Sequence, residues 1–189
     1  MKALTTANQL TLFRMFLIPA FVIFVAYDRA GWALVTFLVA GITDGLDGLI
    51  ARWARQKTSL GAFLDPMADK LLLVTTFVVL TLPNTGMVNR FPLWLTILVI
   101  SRDVVIVVTV ALVNLAVGRR SFRPSLYGKV ATATYLMACV AVLFFNYLGR
   151  RSAVVDIAIW LSLLMTLVSG IHYIWHAARV INTPGETRT

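Results

Sequence analysis

The run Thr43-Asp44-Gly45-Leu46-Asp47-Gly48-Leu49-Ile50-Ala51-Arg52 and, after a short polar link, Gly61-Ala62-Phe63-Leu64-Asp65-Pro66-Met67-Ala68-Asp69-Lys70 together decide how this chain folds. On a helix Asp44 and Asp47 are neighbours at i, i+3, and Asp65 and Asp69 at i, i+4, so each segment offers a pair of carboxylates on one face. The link is short enough to make the two helices antiparallel neighbours, which lets the pairs converge. Upstream of Asp44 and downstream of Lys70 the sequence is almost wholly apolar. The acids therefore stand at the ends of two hydrophobic helices, where ionised groups are expensive unless they serve a function.

The rest of the chain has the same character. Of its 189 residues 59% are hydrophobic and 13% charged, and the mean hydropathy is +0.85. A soluble domain carries about a quarter charged residues, so a soluble globular fold is excluded and the expected class is an all-α integral membrane protein. A spanning helix needs roughly 20 mostly apolar residues. Six segments qualify: residues 10–27, 30–53, 60–82, 93–117, 126–148 and 153–176. The breakers Asp28-Arg29, Arg55-Gln56-Lys57, Pro83-Asn84-Thr85-Gly86, Gly118-Arg119-Arg120 and Gly149-Arg150-Arg151 separate them. The expectation is one domain over residues 1–179, a bundle of six transmembrane helices, and a polar tail over 180–189. The first segment contains Arg14 and Pro19 and lacks a small-residue cleavage site, so it reads as a retained helix rather than a signal peptide.

Seventeen Lys and Arg face 8 Asp and Glu, a net charge of +9. In so apolar a chain this excess suits lipid phosphates and positive-inside loops rather than nucleic acid. With the N-terminus inside, the cytoplasmic loops hold Lys2, Arg55, Lys57, Arg119, Arg120, Arg123, Arg179 and Arg188, against Arg29, Arg90, Arg150 and Arg151 outside. That asymmetry predicts both termini, and the aspartate cluster with them, on the cytoplasmic side of a cell or plasma membrane. The lone Cys139 has no intrachain disulfide partner and reads as a packing residue in an apolar helix. His172 and His176 share a helix face, but no third metal ligand accompanies them. With Trp175 they suit an interfacial belt, as do Trp32, Trp53, Trp94 and Trp160 near other span ends.

Four clustered carboxylates repel one another and demand a cation. Arg52, Arg55, Lys57 and Lys70 offer one answer, as does plain solvation at a helix end. Oxygen donors without His or Cys otherwise select Mg²⁺, Mn²⁺ or Ca²⁺ over zinc. Two divalent cations are the simplest neutralisation, and two metals about 4 Å apart form a known clamp for in-line displacement at phosphorus. Gly48, at i+4 from Asp44, and Gly61, at i−4 from Asp65, would let a base or phosphate approach the backbone. Gly41-x3-Gly45 equally suits close helix packing. Ala51 keeps the next turn thin, and Arg52 suits a bidentate grip on phosphate.

The string Asp44-x2-Asp47-Gly48-x2-Ala51-Arg52-x8-Gly61-x3-Asp65-x3-Asp69 resembles, without a substitution, the signature of the CDP-alcohol phosphatidyltransferases. The resemblance implies a homodimeric six-helix membrane enzyme of phospholipid biosynthesis with a polar cavity facing the cytoplasm. In it Asp44, Asp47, Asp65 and Asp69 would hold two divalent cations, Mg²⁺ or Mn²⁺, on the CDP pyrophosphate. Asp69 would also be the catalytic base for the acceptor hydroxyl. Gly48, Ala51 and Gly61 would line the cytidine pocket, with Arg52 on a phosphate. The phosphatidyl group of CDP-diacylglycerol would pass to an alcohol, and CMP would leave.

The opening Asn8-Gln9-Leu10-Thr11-Leu12-Phe13-Arg14, with Ile18-Pro19, resembles the branch that makes phosphatidylglycerol phosphate and cardiolipin. Arg102, in Ser101-Arg102-Asp103, and Lys129 are cations placed within or near spans, which suits an anionic acceptor. An Arg102–Asp103 ion pair and a snorkelling Lys129 are the plainer alternatives. Glycerol-3-phosphate enzymes usually have Arg-Glu in place of Arg102-Asp103 and a second Lys in place of Ala131. Ser-Arg-Asp, Pro124-Ser125 and Lys129-Val130-x-Thr132 resemble the CDP-diacylglycerol-dependent cardiolipin synthases instead, which tilts the acceptor toward phosphatidylglycerol, with glycerol-3-phosphate as the alternative. Arg119, Arg120 and Arg123 would meet anionic membrane lipid or guide an anionic substrate. Two more distant readings are an intramembrane prenyltransferase and a cation transporter, the latter having no use for Gly48, Ala51 and Arg52.

Overall fold

The computed structural model describes the backbone of residues 6–54, 59–83, 86–117 and 126–182, and within them the side chains of 12–45, 67–83, 86–109, 111, 115 and 126–175. Among the described residues every regular element is an α-helix: α1 (Thr6–Ala26), α2 (Ala30–Ala54), α3 (Ser59–Thr81), α4 (Leu93–Val117), α5 (Leu126–Tyr147) and α6 (Ala153–Asn182). Their positions follow the six apolar segments, because a chain without water must satisfy its backbone polar groups internally, and a helix does so within one segment. The largest departure is at the C-terminus. Helix α6 runs on to Asn182, so residues 180–182, assigned to the tail from sequence, are helical. The sequence holds no Gly or Pro between Gly170 and Pro184, so nothing in it breaks the helix at residue 179.

Helices α5 and α6 contain described stretches, Leu126–Tyr147 and Ala153–Trp175, long and apolar enough to cross a membrane, and α1 and α2 carry shorter apolar stretches, Leu12–Ala26 and Ala30–Gly45. The 22 residues of α5 extend about 33 Å, against a hydrocarbon core of about 30 Å. Large apolar side chains such as Phe16, Met137 and Ile171 stand open on the surface, and so do Trp32, Trp94, Trp160 and Trp175. Buried hydroxyls turn back to their own helix: Thr36 donates to Trp32 O, Thr76 to Leu72 O and Ser162 to Ala158 O, at 2.7–2.8 Å. Apolar exposure with internally satisfied polar groups is the pattern of a membrane-associated protein.

The chain forms two compact units. The first holds residues 1–91 and 139–155, with α1 packed on α2 and α3. Its core includes Phe21 against Phe37, and Phe77 stacked on Phe91 with ring centroids 4.5 Å apart. Helix α1 closes in a Schellman turn, in which Arg29 N–H bonds Phe24 O and Asp28 N–H bonds Val25 O, with Asp28 at φ 55°. The Asp28 carboxylate then accepts Gly86 N–H at 2.6 Å. Helix α5 ends the same way through Gly149 at φ 64°. There the Asn146 amide is clamped to Asn89. Its Oδ1 accepts Asn89 N–H at 2.7 Å, and its Nδ2 donates to Asn89 O at 2.9 Å. The second unit holds 92–138 and 156–189, where Tyr135 and Thr166 hydrogen-bond at 2.7 Å. In it Cys139's neighbour Ala138 is buried, while Cys139 itself is a fully buried packing residue of the first unit, as expected.

Candidate active site

Helix α1 carries one charged side chain into the protein: Arg14 is fully buried. A guanidinium has five N–H donors in a fixed fork, and burying it requires anionic partners. Arg14 finds them on two other helices. Its Nη2 lies 2.9 Å from Asp44 Oδ1 of α2, and its Nη1 lies 2.5 Å from Asp69 Oδ1 of α3. One acid from each of the expected pairs thus shares a single cation. The carboxylates are about half-exposed, at 43% and 45%, whereas Arg14 is at 0%.

This geometry joins the two helices that the aspartate spacing singles out. Asp47, Gly48, Ala51 and Arg52 lie on α2, and Gly61 and Asp65 on α3, but their side chains fall outside the described residues. Among the described residues no group of three His, Cys, Asp or Glu side chains forms. What is described fits a hard divalent cation in chemistry: two half-exposed carboxylates, oxygen donors only, one from α2 and one from α3. Among the described residues of this chain, no atom lies within 4 Å of where a Cβ would stand on Gly41 or Gly45.

The two expected acceptor residues belong to the second unit. Arg102 is mostly buried on α4, with Nη1 2.6 Å from Asp103 Oδ1 and Nη2 bonded to Ser169 Oγ of α6. Both the ion pair with Asp103 and a tie to α6 are therefore present, and the second has no sequence signal beyond a serine in an apolar helix. Lys129 is exposed on α5. His172 packs against the Tyr127 ring at 4.5 Å, and the His176 side chain is outside the described residues. Arg14 is the residue that sequence reasoning left without a role. Its signal was there, since a lone arginine within an apolar span needs an acid as partner.

Fold and site define a helical, membrane-associated protein in which one buried arginine joins an aspartate of α2 to an aspartate of α3. The chain matches the CDP-alcohol phosphatidyltransferase family over residues 4–168 and belongs to that family. It is 32% identical over 190 aligned positions to a "Probable phosphatidylglycerophosphate synthase" of Mycobacterium tuberculosis, covering 96% of this chain and 85% of the relative. It is 35% identical to the human "Cardiolipin synthase (CMP-forming)" over 76% of this chain and 52% of that protein. To the Haemophilus influenzae "CDP-diacylglycerol--glycerol-3-phosphate 3-phosphatidyltransferase" it is 32% identical, over 87% of this chain and 89% of the relative. The chain is therefore a transferase of this family, whose members generally use divalent metal ions. Membership sets aside the prenyltransferase and transporter readings.

Proposed function

We infer that this protein transfers the phosphatidyl group of CDP-diacylglycerol to a glycerol-bearing acceptor and releases CMP. The observation that carries the reading is the convergence of Asp44 and Asp69 on Arg14, which joins the two acid-bearing helices. Asp44, Asp47, Asp65 and Asp69 would hold two divalent cations, Mg²⁺ or Mn²⁺. When bound, such ions offset charge on the pyrophosphate and on departing CMP. Gly48, Ala51 and Gly61 leave room for the cytidine, and Arg52 holds a phosphate in its fork. Asp69 accepts the proton of the acceptor hydroxyl as that oxygen bonds to the lipid-side phosphorus and the bond from phosphorus to CMP breaks. The balance of loop charge supports an assembly of six spans with both termini and the site in the cytoplasm, and the family resemblance supports a homodimer.

The acceptor is phosphatidylglycerol on the reading supported by Ser101-Arg102-Asp103, Pro124-Ser125 and Lys129-Val130-x-Thr132, with Arg102 and Lys129 as its anion contacts. Glycerol-3-phosphate is the second reading, favoured by the longer coverage of this chain by the Mycobacterium tuberculosis and Haemophilus influenzae relatives. Purified protein given CDP-diacylglycerol, Mn²⁺ or Mg²⁺ and each acceptor separately should release CMP, and mass spectrometry of the lipid product distinguishes cardiolipin from phosphatidylglycerol phosphate. No CMP with any acceptor refutes the activity.

A further inference from the structure

We propose that Arg14 is a positioning residue of the metal site, holding the carboxylates of Asp44 and Asp69 in the geometry that receives divalent cations. The inference rests on the activity proposed above. Its ground is one side chain. Arg14 is fully buried in α1, the helix that packs on both α2 and α3, and it reaches one carboxylate on each. Two like charges brought together from separate helices repel, and solvent screens them only in part because each carboxylate is about half-buried. Arg14 is placed between them, so it removes the repulsion at its source and fixes the spacing of α2 relative to α3 at the level of the acids.

The same guanidinium is itself a cation, and two opposite effects on metal affinity follow. Its charge repels an incoming divalent ion, whereas its grip pre-forms the ligands. The geometry decides in favour of the grip. Each of these two contacts engages one oxygen, Oδ1, and uses one of the roughly four lone-pair sites that a carboxylate offers. Groups that orient metal ligands in this way typically contribute 10–100-fold to metal affinity. Lysine keeps the charge but not the fork, since an ammonium is a point charge that does not reproduce two fixed N–H directions.

The test is Mn²⁺ binding to the full chain in detergent or nanodiscs, read by electron paramagnetic resonance of free Mn²⁺, together with the thermal midpoint of each protein and KM and kcat for CDP-diacylglycerol. Folded R14M is expected to bind Mn²⁺ about 10–100-fold more weakly than wild type. R14K is expected to fall between, and its activity loss to be partly restored at high Mn²⁺. Folded R14M with unchanged or tighter Mn²⁺ binding overturns the proposal, because Arg14 would then be neutral toward the site or a competitor for it. If neither R14M nor R14K folds, the residue serves the fold alone, and the proposal is equally overturned. A wild-type chain that neither binds Mn²⁺ nor releases CMP fails at the proposed activity itself, a result distinct from failure at Arg14.

Discussion

Truncating Asn146 to alanine should destabilise the protein more than truncating Asn89, although the two side chains face each other and are equally buried. The reason is which groups each amide serves. Asn146 Oδ1 accepts the Asn89 backbone N–H at 2.7 Å, and Asn146 Nδ2 donates to the Asn89 backbone carbonyl at 2.9 Å. N146A therefore orphans two main-chain groups of a residue only 7% exposed. An unsatisfied buried polar group costs about 1–3 kcal/mol, so a total of about 3 kcal/mol is expected after partial relief by water. N89A removes a long 3.3 Å contact to Asn146 Oδ1 and a 2.7 Å bond to the carbonyl of Arg150, an exposed residue. Water can replace that partner, and the expected cost is about 1 kcal/mol.

The chain contains a convenient reporter. Cys139 is its single cysteine and is fully buried, so a fluorogenic thiol dye reacts only as the protein unfolds. For a chain of this size 1 kcal/mol moves the midpoint by roughly 2–4 °C. N146A should thus melt roughly 6–12 °C below wild type and N89A roughly 2–4 °C below. If N89A proves as damaging as N146A, or if N146A lies within the error of wild type, the clamp is not what fastens the α3–α4 connection to the end of α5.

Three further outcomes follow from the structure. D69N should abolish CMP release while leaving measurable CDP-lipid binding, and parallel loss of both would make Asp69 chiefly a metal ligand rather than the base. Chelation with EDTA should stop CMP release without unfolding the protein by the Cys139 assay, and added Mn²⁺ or Mg²⁺ should restore it; activity persisting through chelation refutes a metal requirement. G149A places a Cβ at φ 64° in the Schellman turn that ends α5 and should cost about 1–2 kcal/mol, read as a midpoint lowered by roughly 2–8 °C. An unchanged midpoint for G149A would mean that the turn relaxes at no cost.

The helices were legible because each apolar run is bounded by Asp, Gly, Pro or paired Arg, and the structure breaks at or within a few residues of those points. That α2 and α3 carry the acids was legible from the sequence, and the Arg14 contact that joins Asp44 to Asp69 was not. Arg14 and Asp69 are 55 positions apart, and α1 is apolar nearly all round, so no polar stripe tells which way its arginine points. Asn89 and Asn146 lie 57 apart in segments that carry no motif. Local pairs fared better: Arg102 and Asp103 are adjacent, and their ion pair was a stated alternative. Ser169, which takes the other arm of Arg102, is one hydroxyl in a long apolar helix, where hydroxyls most often turn back to their own backbone.

The order of charges across the site carries a consequence for substrate binding. Arg14 is fully buried, while the Asp44 and Asp69 carboxylates that it pairs with are about half-exposed, so the anions are open to an ion and the cation that pairs them is not. On the proposed reading, and counting only the four aspartates and Arg14, three negative charges remain to offset. Two divalent cations exceed that by one, and the loaded site is then net positive toward a pyrophosphate. Without Arg14 the same two cations would only balance the acids. On that reading a buried arginine that costs desolvation would be useful twice: it would bring the carboxylates together before a cation arrives, and it would leave the filled site with a surplus charge for its anionic donor. Loss of Arg14 should accordingly raise KM for CDP-diacylglycerol even at Mn²⁺ concentrations that refill the site, and a purely structural role predicts no such residual effect.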